Sequence, residues 1–278
     1  MIMFETLIFF FLGILSFISF SGYGLIYAAR YKFNILISFF LGFIVLGLLI
    51  TIIHFFFKIN FHITALILII GILFFFIKKK LFNSKIFNKS FFIYILILLA
   101  LTPIFLTHKY HEDFGYYHLP YAIGLIEEKI IFGFANIDQS YVYNSIWLNL
   151  YSIFFLIEKN FDFLTLPSFL IYLCFILFSY HQIISKNEKT ISDYFLLTAV
   201  FYFILKFTRI SEFGVDLPAT IFSVLSIYYF IKFSEIDFKK ERKEYFFLIL
   251  IFSIFAILIK LSTIPVILLP VFLYLKYF

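Results

Sequence analysis

ILISFFLGFIVLGLLITIIHFFF, residues 35–57, runs for twenty-three positions without a Lys, Arg, Asp or Glu. At 1.5 Å per residue a helix of this length rises about 34 Å, enough to cross the ~30 Å hydrocarbon core of a bilayer. In that core no water is at hand for backbone N–H and C=O groups. The segment must satisfy them internally, which selects a helix. Comparable apolar runs fall at roughly 4–28, 62–77, 91–107, 142–157, 164–184, 194–208, 217–233, 245–260 and 264–278. Several are shorter than the ~20 residues that a straight crossing needs. The fold expected is therefore all-α, a polytopic membrane bundle of about nine or ten apolar helices.

The composition agrees. Of 278 residues, 64% are hydrophobic and 14% charged, and the mean hydropathy is +1.06. A soluble domain is about half apolar and about a quarter charged. The first twenty residues, MIMFETLIFFFLGILSFISF, have neither a basic start nor a small-residue cleavage site, and read as a first membrane helix. Cys174 is the only cysteine and lies in an apolar run, which rules out an internal disulfide and a cysteine metal site. The net charge of +6 is not arranged as a groove-reading stripe, so nucleic acid is not a partner; membrane is.

Lys and Arg set the orientation. KKKLFNSKIFNK (78–89), KFSEIDFKKERK (232–243) and, more weakly, ARYK (29–32) are the basic loops and are expected inside. Counting spans from them puts HKYHEDFGYYHLP (108–120) and RISEFGVDLP (209–218) outside together. Three apolar runs separate those two loops, and SKNEK (185–189) reads as inside. Residues 142–184 must then cross once. The reading that satisfies this lays 142–157 along the interface, where Tyr141, Tyr143, Trp147 and Tyr151 suit it, or dips it into the membrane without crossing; if all three runs cross instead, the two acidic loops fall on opposite faces.

The polar residues of a chain built for lipid concentrate in those two outer loops. The first carries His108, Lys109, His111, Glu112, Asp113, Tyr116, Tyr117 and His118; the second carries Arg209, Glu212 and Asp216. Lys260 stands at the outer end of a later run. Ionisable groups at a membrane boundary are costly and point to function. Carboxylates facing one cavity can do acid/base work or hold a divalent cation, and a lysine beside them can neutralise a phosphate. Blander roles compete. Asp216 before Leu217-Pro218 has the form of a helix N-cap. Lys260 can snorkel to headgroups. The lone His54 and His62 read as structural. No dedicated metal site is expected among the histidines.

The order of these parts resembles the GT-C superfamily of integral-membrane glycosyltransferases, such as the protein O-mannosyltransferases and the aminoarabinose transferases of lipid A. HEDFGYYHLPYAIGLIEEKIIFGFAN follows an outward helix; NSIWLNLYSIFF comes next; EFGVDLPATIFSVLSIYYF follows, and then LIKLSTIPVILLP. The resemblance covers roughly 91–278, leaving 1–90 as three preceding membrane helices, and relatives continue with further spans beyond the point where this chain ends. It implies catalytic roles for Asp113, Glu112 and Asp216. It implies substrate contacts from Lys260, His118, Tyr117, Glu212, Arg209 and His111. The implied donor is a polyprenyl-phosphate-linked sugar, the acceptor a lipid or glycan, and the location an inner membrane of a bacterium with the active face outside. Two other classes fit an outer-face charge cluster: a transporter or flippase for lipid-linked sugars, and a non-catalytic scaffold subunit. The transporter would carry broken helices with polar groups near the midplane, and few ionisable residues lie deep in the runs.

Overall fold

In the computed structural model, the residues described are 2–31, 34–78, 84–105, 114–133, 136, 145–158, 161–184, 187–206, 213–236 and 239–277. Among them there is no strand. Eleven α-helices follow in order: α1 (Ile2–Tyr31), α2 (Ile35–Phe56), α3 (Phe61–Lys78), α4 (Ser84–Phe105), α5 (Leu119–Glu127), α6 (Ile146–Glu158), α7 (Leu166–Ile184), α8 (Ile191–Leu205), α9 (Asp216–Ser234), α10 (Lys239–Ile259) and α11 (Leu268–Tyr277). Five stretches are long and apolar enough to cross a membrane: Thr6–Tyr27, Ile35–Phe56, Phe61–Lys78, Phe163–Ile184 and Asp216–Ser234. The protein is an all-α polytopic membrane bundle.

The chain divides into two compact units. The first comprises Met1–Cys174 with Ile210–Gly214, the second Phe175–Arg209 with Val215–Phe278.

In the first unit α1 is the axle, packed on α2, α3 and α4. Between lipid-soluble helices the hydrophobic effect gives little attraction, so close backbone approach and buried hydrogen bonds do the joining. Glycines provide the approach. A Cβ on Gly24 would fall on the Ser38 carbonyl, one on Gly42 on the Phe20 carbonyl, and one on Gly22 on the Gly71 carbonyl. Tyrosines provide the bonds. Tyr23 donates to the Ile67 carbonyl (2.8 Å) and Tyr94 to the Gly13 carbonyl (3.0 Å), tying α3 and α4 to α1.

Helix α6 packs on α2, α3 and α5. Its thirteen residues rise about 20 Å, short of a full crossing. Its aromatic side chains Trp147, Tyr151 and Phe154 are buried in protein rather than at a surface. Trp147 stacks on Phe43 of α2 at 5.1 Å, and both Trp147 and Tyr151 are fully buried in protein. The polar tips that suit such rings to an interface suit them equally to a buried site that supplies hydrogen bonds. Tyr141 and Tyr143 lie outside the described residues.

In the second unit α9 and α10 form an antiparallel hairpin. Phe222 packs on Phe255 (4.7 Å) near one end and Tyr229 on Tyr245 (5.5 Å) towards the other. Ser226 and Ser253 join hydroxyls across its middle (2.7 Å). The apolar run at 264–278 is not one helix: a 3-10 turn, Leu261–Ile267, precedes α11. Pro265 and Pro270 bring no N–H to an α ladder there. α11 then returns beside α9, with Phe272 by Phe230 and Tyr277 by Phe233. α8 is braced at its start, where Glu235 accepts from the Ser192 N–H and hydroxyl (both 2.8 Å).

The glycine contacts make a differential prediction. Gly42→Ala must push the Phe20 backbone away and is expected to destabilise by roughly 1–3 kcal/mol. Gly124 of α5 has open space around its Cβ position, so Gly124→Ala is expected to stabilise by up to about 1 kcal/mol through helix propensity. Thermal unfolding of the two variants in one detergent checks both signs.

Candidate functional site

Asp216 opens α9, and Lys260 follows the last residue of α10. The Lys260 ammonium and the Asp216 carboxylate form an ion pair. Asp216 does not act as a capping side chain: Val215 holds the cap position, no side-chain cap bond forms, and the carboxylate turns to the lysine. Thr220 bonds the Asp216 carbonyl (2.7 Å), securing the first turn of α9. The backbone around Lys260 is equally secured. Its N–H donates to Ala256, and its carbonyl accepts from both the N–H and the hydroxyl of Thr263. The pair is open to solvent, with 67% of the Asp216 side chain and 39% of the Lys260 side chain exposed.

The opposite end of the second unit carries a different chemistry. Lys232 donates to the Tyr228 hydroxyl (3.1 Å) and to Gln182 (3.4 Å), and lies over the rings of Tyr228 and Tyr245. Arg242 and Lys276 both lie over the Tyr277 ring. The carboxylate–lysine pair and the basic stretch 232–243 are therefore at opposite ends of the α9–α10 hairpin.

In the first unit the chain enters α5 through a wide π turn, Phe114–His118, that contains Tyr117 and ends on His118. His118 is buried and its ring lies 5.7 Å from that of Phe213. Phe114 meets Phe213 edge-on at 5.0 Å, and Tyr151 covers Phe213 at 4.1 Å. The residue that follows Asp113 thus packs against a residue three positions before Asp216. His111, Glu112, Asp113, Arg209 and Glu212 lie outside the described residues. Among the described residues no three His, Cys, Asp or Glu side chains converge on one point.

His54, read from the sequence as structural, has partners that the sequence did not disclose. It is buried in the last turn of α2, and its Nε2–H donates to the Leu125 carbonyl of α5 (2.6 Å). The His54 carbonyl in turn accepts from the Ile130 N–H (3.0 Å). One residue therefore holds the short helix that follows the first acidic loop, side chain at one point and backbone at another. Nothing local in the sequence signals this, because the partner lies 71 residues away. On that helix, burial pushes the Tyr121 phenol up to about 12.

Against protein-family models the chain matches the domain of unknown function DUF8201 over residues 3–278. The chain belongs to this family. No curated protein and no solved structure matches it.

Two outcomes follow. An exposed ion pair contributes only about 0–1 kcal/mol to stability, so Asp216→Asn and Lys260→Gln are each expected to leave the unfolding temperature within a few degrees of the parent protein. Removing the buried donor of His54 leaves the Leu125 carbonyl unpaired at a cost of roughly 1–3 kcal/mol. His54→Phe should speed amide exchange across residues 119–130, read by mass spectrometry, while His54→Gln, which keeps an N–H donor, should restore part of the protection.

Proposed function

We propose that this chain is a membrane glycosyltransferase that moves a sugar from a polyprenyl-phosphate donor to a lipid or glycan acceptor at the outer face of a bacterial inner membrane. The observation that carries this reading is the pairing of Asp216 with Lys260, at the end of the α9–α10 hairpin away from the basic stretch 232–243. Basic loops stay inside, which turns the pair outward. The contact of Phe114 with Phe213 supports it further, since each belongs to one of the two acidic outer loops.

The chemistry runs as follows. A carboxylate of the first loop, Asp113 with Glu112 beside it, takes the proton of the acceptor hydroxyl as that oxygen attacks the anomeric carbon. The bond from this carbon to the phosphate oxygen breaks, the lipid phosphate leaves with the electron pair, and the configuration inverts. Lys260 meets the charge growing on the phosphate, with Arg209 in support. Asp216, which pairs with the Lys260 ammonium, orients the acceptor with Glu212. His111, Tyr117 and His118 contact the sugar. A divalent cation held by the carboxylates is the cofactor this chemistry would accept. The donor's prenyl tail stays in the bilayer, so the reacting groups must sit where lipid meets water.

The test is transfer from a panel of polyprenyl-phosphate sugars by membranes containing the full chain. Lys260→Gln is expected to lower the rate roughly 10²–10³-fold, the usual cost of one electrostatic stabiliser, at unchanged protein level. Full activity of an Asp113→Asn protein would overturn the reading.

A further inference from the structure

The end of the second unit away from Asp216 and Lys260 holds two cations on one aromatic ring. Arg242 of α10 and Lys276 of α11 both lie over Tyr277, at 5.5 Å and 5.2 Å from the ring centroid. Each also lies over a second ring, Arg242 over Phe233 of α9 (5.7 Å) and Lys276 over Phe272 of α11 (5.9 Å). Phe233 and Tyr277 are themselves in contact at 5.3 Å. Three helices thus share one aromatic floor, and two positive charges stand on it. The Arg242 side chain is also aimed: its Nε–H donates to the Ile236 carbonyl (2.7 Å), just past the end of α9.

A ring face attracts a cation by about 0.5–1 kcal/mol at an exposed site. It does nothing to cancel the repulsion between two cations. Glu235 is turned to the Ser192 N–H and hydroxyl. On α10, Glu241 and Glu244 stand one and two positions from Arg242, and residues so spaced do not face each other on a helix. α11 contains no acidic residue. An anion shared by Arg242 and Lys276 would relieve the repulsion. A phosphate suits both, since guanidinium and ammonium each give its oxygens charge-assisted hydrogen bonds.

The surface beside the two cations points to the source of that phosphate. Leu268, Val271, Phe272 and Leu275 are exposed. Their spacing of three and four residues puts them on one face of α11. Pro270 and Leu273, on the other face, are buried. The exposed stripe rises about 10 Å along the helix and ends beside the exposed Lys276. An apolar stripe that ends at two cations is complementary to an amphiphile, with its chain along the stripe and an anionic head at the end.

We infer that Arg242, Lys276 and Tyr277 form a binding site for the phosphate headgroup of an anionic phospholipid whose acyl chain lies along the exposed face of α11. The site belongs wholly to the second unit and does not depend on the transferase reading.

The experiment titrates the delipidated full chain, in neutral detergent, with dioleoylphosphatidylglycerol or dioleoylphosphatidylcholine. The two lipids share acyl chains and phosphate and differ in net charge. Bound lipid is counted by native mass spectrometry. The parent protein is expected to prefer phosphatidylglycerol. Lys276→Gln is expected to weaken that lipid about fivefold, the contribution of one basic residue at an anionic lipid. Adding Arg242→Gln should bring the two lipids level. Lys243→Gln removes the same charge from the exposed residue next to Arg242 and should change neither affinity. Lys276 is exposed and meets only rings, so its comparison with Lys243→Gln decides the matter where the double variant does not fold. Inorganic phosphate in excess is expected to displace no lipid. Equal affinity of the parent protein for the two lipids overturns the inference. So does a loss in Lys243→Gln as large as that in Lys276→Gln, which would reduce the effect to net charge. Displacement by inorganic phosphate, or a dimer of the chain that excludes lipid, overturns it as well.

Discussion

A backbone amide in hydrocarbon has no water to turn to, and each unpaired one costs several kcal/mol. Much of this structure follows from that constraint. It accounts for the absence of strands among the described residues and for elements that run as whole helices. It also drives ionisable residues out of the spans. Once the spans are closed to charge, chemistry can stand only where a helix begins or ends. Asp216 is the first residue of α9, and Lys260 is the first residue past α10. The ion pair is thus a product of the same rule that makes the helices.

The constraint leaves a second problem, because lipid is as apolar as the helix faces and gives them little reason to associate. The first unit answers with glycines that bring backbones together, and with phenols whose hydroxyls reach carbonyls of a neighbouring helix. Tyr23, Tyr94 and Tyr151 all work in this way, each with the ring in the core and the oxygen on a backbone group. The same device that fastens helix to helix also fastens the loop before Asp216. Helix packing and loop placement are therefore not separate layers in this protein.

Different physics separates what the sequence discloses from what it hides. The helices were legible because charge-free length is a local property, and the apolar runs at 35–57, 62–77, 164–184 and 217–233 correspond to α2, α3, α7 and α9. The meeting of Asp216 with Lys260 was legible at one remove. Two consecutive helices of 19 and 21 residues, folded back on each other, bring residues 44 apart to the same open end. The break of the last run at Pro265 was visible as a proline but not as a 3-10 turn. His54 and Tyr151 were opaque, since their partners lie 71 and 63 residues away and are carbonyl and amide groups common to every residue. No side-chain pattern can announce a contact whose far side is backbone. Trp147 and Tyr151 misdirected for a related reason: an aromatic with a polar tip fits a membrane interface and a buried hydrogen-bonded core equally well.

The exposure of the Asp216–Lys260 pair separates stability from use. A buried pair would have to offset the desolvation of both charges, and breaking it would be expensive. An exposed pair contributes little to folding, so its two charges are free to exchange partners at small cost to the fold. The firmness lies one step back, in the bonds that the Thr220 and Thr263 hydroxyls make to the backbone carbonyls of Asp216 and Lys260. Rigid peptide around mobile charge is the arrangement that binding an anion requires. In the transfer we propose, the ammonium would leave the carboxylate for a phosphate without the helix ends shifting, and only side-chain torsions would need to change.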